Sequence, residues 1–214
     1  MDWRIECDGE AFEKCQADAK FPYIVALARA VNALNFVMLQ MGQHDGPEAR
    51  RGRTNSYLFA SAILYESLKL IRAMNKTFMD DPAFQNGLRS FLRDPVAQSI
   101  EKMHLDPARN RAVFHFLPER FTEIISSATV NTCTFLEARG QNRRHVYYSF
   151  ADVVASEILV GFAADTREFY DALETAMTGT RKLVDRFAEQ AEELIGYHTD
   201  RWGFKKLEGI TSTA

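Results

Sequence analysis

Apolar residues recur every three or four positions along most of the chain, which is the spacing of one face of an α-helix. The first such run covers residues 22–41, starts at a proline and is apolar on most of its surface. Its repeating positions are Ile24, Leu27, Val31, Leu34, Met38 and Met41. Because polar residues such as Arg29 and Asn32 interrupt it, the run predicts a helix in the middle of a bundle rather than a membrane span.

Two further runs predict long helices over residues 54–78 and 147–177. Residues of the second helix that follow a four-and-three spacing are expected to pack against a neighbouring helix: Tyr57, Ser61, Leu64, Leu68, Ile71, Asn75 and Phe78. Thr178-Gly179 is expected to break the third helix. The helical pattern resumes over residues 180–197, with Leu183, Phe187, Ala191 and Leu194 as its apolar positions. Trp202 is expected to dock the C-terminal segment.

Short helices are expected between the second and third long helices. Asp81-Pro82, Asp94-Pro95 and Asp106-Pro107 repeat one device, in which the aspartate caps a helix N-terminus and the proline occupies its first turn. Pro118 disfavours helical geometry in the residue before it, so the last of these helices is expected to end near Leu117.

These elements predict an all-α fold, a bundle of three long helices with short helices between the second and third. Hydrophobic residues make up 46% of the chain, enough for a substantial core, and glycine and proline are too few for a many-turned β fold. We expect a single domain over residues 1–214, with an N-terminal extension over residues 1–20 and a frayed tail over residues 209–214.

Composition narrows the functional classes. The net charge of −3 argues against a broadly basic surface but leaves room for a local basic cleft. Cys7, Cys15 and Cys133 show no metal-ligand spacing, and reduced thiols are the simplest interpretation of them. Reduced thiols and the absence of a recognisable signal peptide together predict a cytoplasmic protein. No cofactor motif is present, and Glu101-x-x-His104 lacks the second copy that a di-iron bundle requires, so we expect neither cofactor nor metal.

The candidate chemistry is concentrated in residues 106–118. Arg109, Asn110, Arg111 and His115 lie there on one short predicted helix. A histidine in a last helical turn feels the negative end of the helix dipole, which favours its protonated form. Near its intrinsic pKa, His115 is then suited to exchange protons with a substrate.

The sequence Arg109-Asn110, four residues, then His115 resembles the Arg-polar-x-x-x-x-His signature of HEPN domains. These are all-helical modules, many of them metal-independent endoribonucleases of toxin–antitoxin and phage-defence systems. The resemblance implies a homodimer with a shared cleft, RNA as substrate and a cognate antitoxin protein as a partner. It implies Arg109 and His115 as catalytic residues, with Asn110, Arg111 and Glu66 in support. One family variant has a tyrosine where this chain has Leu117, which puts modification at that position in doubt.

Other interpretations of these residues stay open. Positions six apart lie about 120° from each other around an α-helix, so Arg109 and His115 do not share a face, whereas Arg111 and His115 do. His115 is flanked by phenylalanines and is also compatible with a core histidine, with the arginines on a solvated surface. The protein would then be a non-catalytic helical module that binds a nucleotide, a nucleic acid or a protein.

Two arginine-containing stretches are expected to be loops between helices. Residues 42–53 contain Arg51 and Arg53, and residues 139–145 contain Arg143 and Arg144. Solvated connections are the simpler interpretation, and weak contacts with a nucleic-acid backbone are the functional one. A third possibility is a ligand-sensing helical regulator, for which residues 51–53 are the only hint.

Overall fold

The computed structural model describes residues 3–42, 48–113, 137–138, 146–147, 151, 154–155 and 166–208, and these are predominantly helical, which confirms the all-α class. The helices are α1 (Gly9–Gln16), α2 (Phe21–Gly42), α3 (Glu48–Met74), α4 (Pro82–Asn86), α5 (Leu88–Arg93), α6 (Pro95–Ile100) and α7 (Thr166–Trp202). Two π-helical segments, Glu101–Leu105 and Ala108–Val113, continue α6. The short strands are β1 (Trp3–Glu6), β2 (Glu137–Ala138), β3 (Val146–Tyr147) and β4 (Lys205–Glu208).

The main core lies where α2, α3 and α7 pack together, and the apolar spacing of each helix identifies its inner face. α3 is buried at six of its seven predicted positions: Tyr57, Ser61, Leu64, Leu68 and Ile71, with Phe78 just beyond the helix end. Leu183, Phe187, Ala191 and Leu194 of α7 are likewise buried. The predicted packing faces of α3 and α7 are therefore confirmed.

α2 lies at the edge of this core and not in its middle. Ile24, Leu27, Val31 and Leu34 face inward, while the exposed fractions of Val25, Phe36 and Leu39 are 51%, 64% and 64%. By length and hydropathy alone α2 is apolar enough to cross a membrane, a test that core helices of soluble proteins also pass. The prediction of a helix in the middle of the bundle is wrong, because apolar residues on the remaining faces of α2 are in contact with solvent.

Two of the three predicted Asp-Pro helix starts are confirmed. Asp81 accepts a hydrogen bond from the Phe84 N–H at the start of α4, and Asp94 accepts one from the Val96 N–H at the start of α6. Each proline occupies the first turn, where a backbone N–H would have no partner within the helix, so the N–H that proline lacks costs no hydrogen bond. Each of these caps starts a new short helix, so the chain after α3 is divided into short helical segments.

The third start is wrong, because Asp106 lies inside a continuing helix. Its φ and ψ are −63° and −48°, and its N–H donates to the Glu101 carbonyl five residues earlier, the pattern of a π-helix. Proline in a helix interior clashes with the carbonyl four residues earlier, and the wider turns on both sides of Pro107 accommodate its ring. Arg109 therefore lies deep in a helix that began at Pro95, and not in a first turn.

The predicted break at Thr178-Gly179 is also wrong. α7 runs unbroken for 37 residues, about 55 Å at 1.5 Å per residue. A Cβ added to Gly179 would lie 3.4 Å from Ile100 Cδ1, an ordinary contact distance, so α7 passes beside the end of α6 at this point without a break. The expected start of a helix at Tyr147 is wrong as well, since Val146–Tyr147 pairs as a strand with Glu137–Ala138.

The N-terminal segment docks against the C-terminal end of the chain. β1 pairs antiparallel with β4, so that Trp3 lies opposite Glu208. Cys15 of α1 is fully buried in the main core, and Trp202 donates from Nε1 to Asp18 at 3.0 Å. Docking by Trp202 was predicted from the sequence, whereas the tail over residues 209–214 lies outside the described residues.

Candidate functional site

Arg109 is held on the second π-helical segment by two side chains. Its Nε donates to Glu66 Oε1 of α3 at 2.7 Å, and its Nη1 donates to Asn110 Oδ1 at 2.8 Å. The exposed fraction of the Arg109 side chain is 28%. The guanidinium is therefore fixed in orientation while part of it stays accessible to solvent.

Asn110 connects Arg109 to a second acidic residue. Its Nδ2 donates to Asp106 Oδ1 at 2.6 Å, one turn earlier on the same helix. The neighbouring Asp106 carboxylate, more than burial, raises the pKa of Tyr65. Asp106, expected from the sequence to cap a helix, instead holds Asn110, while the Arg109–Glu66 bond connects the π-helical segment to α3.

Glu66 also accepts a second cation. Lys69 Nζ lies 3.3 Å from both Glu66 carboxylate oxygens, and the side chains of Lys69 and Glu66 are 51% and 44% exposed. Lys69 and Arg109 thus both form ion pairs with the Glu66 carboxylate at the protein surface. An anion that contacts both would compete with Glu66 for them, and guanidinium and ammonium groups are the usual phosphate ligands in proteins. We call Tyr65, Glu66, Lys69, Asp106, Arg109 and Asn110 the Arg109 cluster.

The structure brings together Arg109, Asn110 and Glu66 of the sequence-predicted site residues. His115, Arg143 and Arg144 lie outside the described residues, as do the side chains of Arg51 and Arg111. Arg53 belongs to α3 and lines a cavity between α2, α3 and α7. The expectation of a loop through residue 53 is wrong, because α3 begins at Glu48.

The acidic residue of the Glu-x-x-His motif makes an ion pair with an arginine of α3. Glu101, half of the Glu-x-x-His motif, accepts from Arg72 at 2.5 Å. Among the described residues, no group of three or more histidine, cysteine or acidic side chains is arranged to hold a metal ion.

A second polar cluster is buried and was missed from the sequence. Asp81 Oδ2 lies 2.7 Å from Lys20 Nζ and 3.0 Å from His198 Nε2, and the Asp81 and His198 side chains are 2% and 3% exposed. The His198 ring packs against Phe78 and Trp202. Asp81 was recognised only as a helix cap, because its partners lie 61 and 117 residues away in the sequence.

Burial controls the protonation of this second cluster. Burial, aided by the Lys20 charge, lowers the pKa of His198 below its usual value despite the neighbouring Asp81 carboxylate. Burial alone would raise the pKa of Asp81, but hydrogen bonds from Lys20 and the Phe84 N–H outweigh it and leave the pKa lowered. At neutral pH the cluster therefore contains a neutral imidazole beside an ionised carboxylate.

Stability is expected to fall as the pH drops from about 7.5 to 5.5. An unfolded histidine takes up its proton near pH 6.5, whereas folded His198 resists it, so the unfolded state binds more protons in this range. His198→Gln keeps an N–H donor and removes the titration. Urea unfolding at both pH values should show a smaller loss of stability for this variant than for the wild type. Equal losses would contradict this assignment.

The chain matches no protein-family model, no curated protein and no solved structure. The function is therefore argued from the residues of the site.

Proposed function

We propose that the protein is a metal-independent endoribonuclease of HEPN type. The observation that carries the proposal is the placement of Arg109, fixed by Glu66 and Asn110 yet partly exposed, on the helix that leads toward His115 in the sequence. A preorganised cation of this kind stabilises the charge that develops on a phosphorane.

The chemistry divides between the two residues of the motif. His115 acts as base or acid, either removing the proton of the ribose 2′-hydroxyl or supplying one to the leaving 5′-oxygen. The 2′-oxygen forms a bond to phosphorus as the 5′-oxygen bond breaks, which leaves a 2′,3′-cyclic phosphate. Asn110 orients Arg109, and Arg111 and Lys69 add affinity for the RNA backbone.

The family resemblance extends the proposal to the assembly and its setting. Two copies form a homodimer in which their Arg-Asn-x-x-x-x-His helices meet across one shared cleft, so the cleft has two histidines available for acid and base roles. The protein works in the cytoplasm in a toxin–antitoxin or defence setting and is held in check by a cognate antitoxin protein.

Arg109→Gln is expected to lower the single-turnover rate of RNA cleavage about a hundredfold, the usual effect of removing one charge-stabilising donor. The matched control is Arg167→Gln on α7, whose side chain is 92% exposed and far from Glu66 in the sequence. Cleavage by Arg109→Gln at the rate of this control would refute the role of Arg109.

One observation favours a second function, a non-catalytic module that binds nucleic acid, nucleotide or protein. Glu66 already neutralises Arg109 in the protomer, as expected of a structural ion pair. This alternative predicts that Arg109→Gln weakens binding of RNA while the wild type forms no cleavage product. Product formation by the wild type separates the two functions.

A further inference from the structure

A cavity of about 1020 Å³ lies between α2, α3 and α7, away from the Arg109 cluster. Arg53, at its α3 wall, lies thirteen residues before Glu66, which is about 20 Å along the helix and about 140° around it. The cavity therefore opens on another side of α3 from the proposed RNA site. Its volume is at the upper end of the range of about 300–1,000 Å³ that is usual for small-molecule sites.

The apolar wall of the cavity is rich in methionine. Met38 and Met41 of α2 face Leu173 and Met177 of α7 across it. Met41, Leu173 and Met177 also pack against a small buried apolar cluster that includes Tyr57 and Leu58 of α3. Methionine is unbranched and polarisable, so such a wall adapts to a flexible apolar chain better than to one rigid shape. The α7 wall extends from Leu173 to Asp185, about 18 Å of helix.

Two arginines line the same cavity without a carboxylate partner. Neither Arg53 nor Arg181 makes an ion pair with any residue in the described part of the chain. Asp185 lies four residues after Arg181 on α7, a spacing that permits an ion pair, and the pair is not made. Guanidinium groups match carboxylate and phosphate geometry, so the two are available to an anionic group.

The acidic residues of the cavity restrict the charge of that group. Glu174 and Asp185 balance the formal charges of the two arginines. A phosphate monoester or a polyphosphate would bring two or more negative charges close to these carboxylates, whereas a carboxylate brings one. A singly charged anion with an apolar chain fits both the charges and the methionine wall.

We propose that this cavity binds a free amphipathic monocarboxylate, with its chain along the methionine wall and its carboxylate on Arg53 and Arg181. The site is independent of RNA cleavage. It would give the protein a sensor for small acidic amphiphiles, since a ligand there contacts all three long helices.

The test is a calorimetric titration of the whole chain with octanoate, decanoate and dodecanoate, each below its micellar concentration. Affinity is expected to rise about fourfold for each added CH₂ group, as for a chain removed from water. Decanol and decyl phosphate are expected to bind at least tenfold more weakly than decanoate. Affinity that is independent of chain length, or equal affinity for decanol, would overturn the site.

Variants test the role of the arginines. Arg53→Gln and Arg181→Gln are each expected to raise the Kd for decanoate about tenfold, as for loss of a charge-assisted hydrogen bond. The matched control is Lys182→Gln, an exposed cation of α7 that is not among the residues lining the cavity. Unchanged decanoate binding in the arginine variants would overturn the proposal. So would arginine-dependent binding to phosphatidylglycerol vesicles without binding of free decanoate, which would indicate a membrane surface instead.

Discussion

Replacing His115 by alanine is expected to slow RNA cleavage about a thousandfold, within the range of 10²–10⁴ that general acid–base catalysis contributes. The imidazole is the residue of the motif that exchanges protons near neutral pH, and alanine leaves water to do so. The measurement is the single-turnover rate with RNA in excess EDTA, because product release then does not mask the chemical step.

His44→Ala is the matched control, since His44 lies outside the motif. It should cleave RNA at the wild-type rate and show the same thermal stability as His115→Ala. If His115→Ala also cleaves RNA at the wild-type rate, His115 has no proton-transfer role and the proposed nuclease mechanism fails.

Replacing Asp81 by alanine is expected to destabilise the protein by about 3 kcal/mol, the lower end of the cost of removing one partner from a buried ion pair. The lower end applies because Lys20 is 27% exposed and regains water, while His198 stays buried without its carboxylate. For a chain of this length the midpoint of thermal unfolding should fall by roughly 6–12 °C.

Asp94→Ala provides a matched comparison, because Asp94 also caps a helix that starts with proline. Its side chain is 22% exposed and pairs with Arg186, which is 48% exposed. Loss of the cap and a surface ion pair should cost about 1 kcal/mol. Equal destabilisation by the two variants would show that Asp81 acts only as a cap, and that its burial with His198 contributes nothing.

Local patterns in the sequence predicted the inner faces of α3 and α7, because apolar residues three and four positions apart lie on one face of a helix and that face is buried. The same local signal placed the caps at Asp81 and Asp94. It failed at Asp106, where an identical Asp-Pro pair lies within a π-helical stretch. The difference is seen in the bonds of Asp106, whose carboxylate accepts from Asn110 one turn later rather than from the N–H groups of a first turn.

In the candidate site too, local spacing was predictable from the sequence, whereas contacts between distant residues were not. The spacing of Arg109, Asn110 and His115 was visible in the sequence, and Glu66 was selected through the family resemblance. That Glu66 lies 2.7 Å from Arg109, and that Lys69 shares its carboxylate, depends on how α3 meets a helix more than forty residues later. The partners of Asp81 are more distant still in the sequence, so no spacing rule could have assembled that cluster.

The most direct test of the nuclease assignment compares a pool of random-sequence RNA with the same pool made as DNA, both in excess EDTA. The account predicts that the wild type cleaves the RNA, leaves 2′,3′-cyclic phosphate ends and does not cleave the DNA, because the ribose 2′-hydroxyl supplies the nucleophile. Equal cleavage of both pools, or no cleavage of the RNA by a correctly folded dimer, would contradict it and favour the binding module.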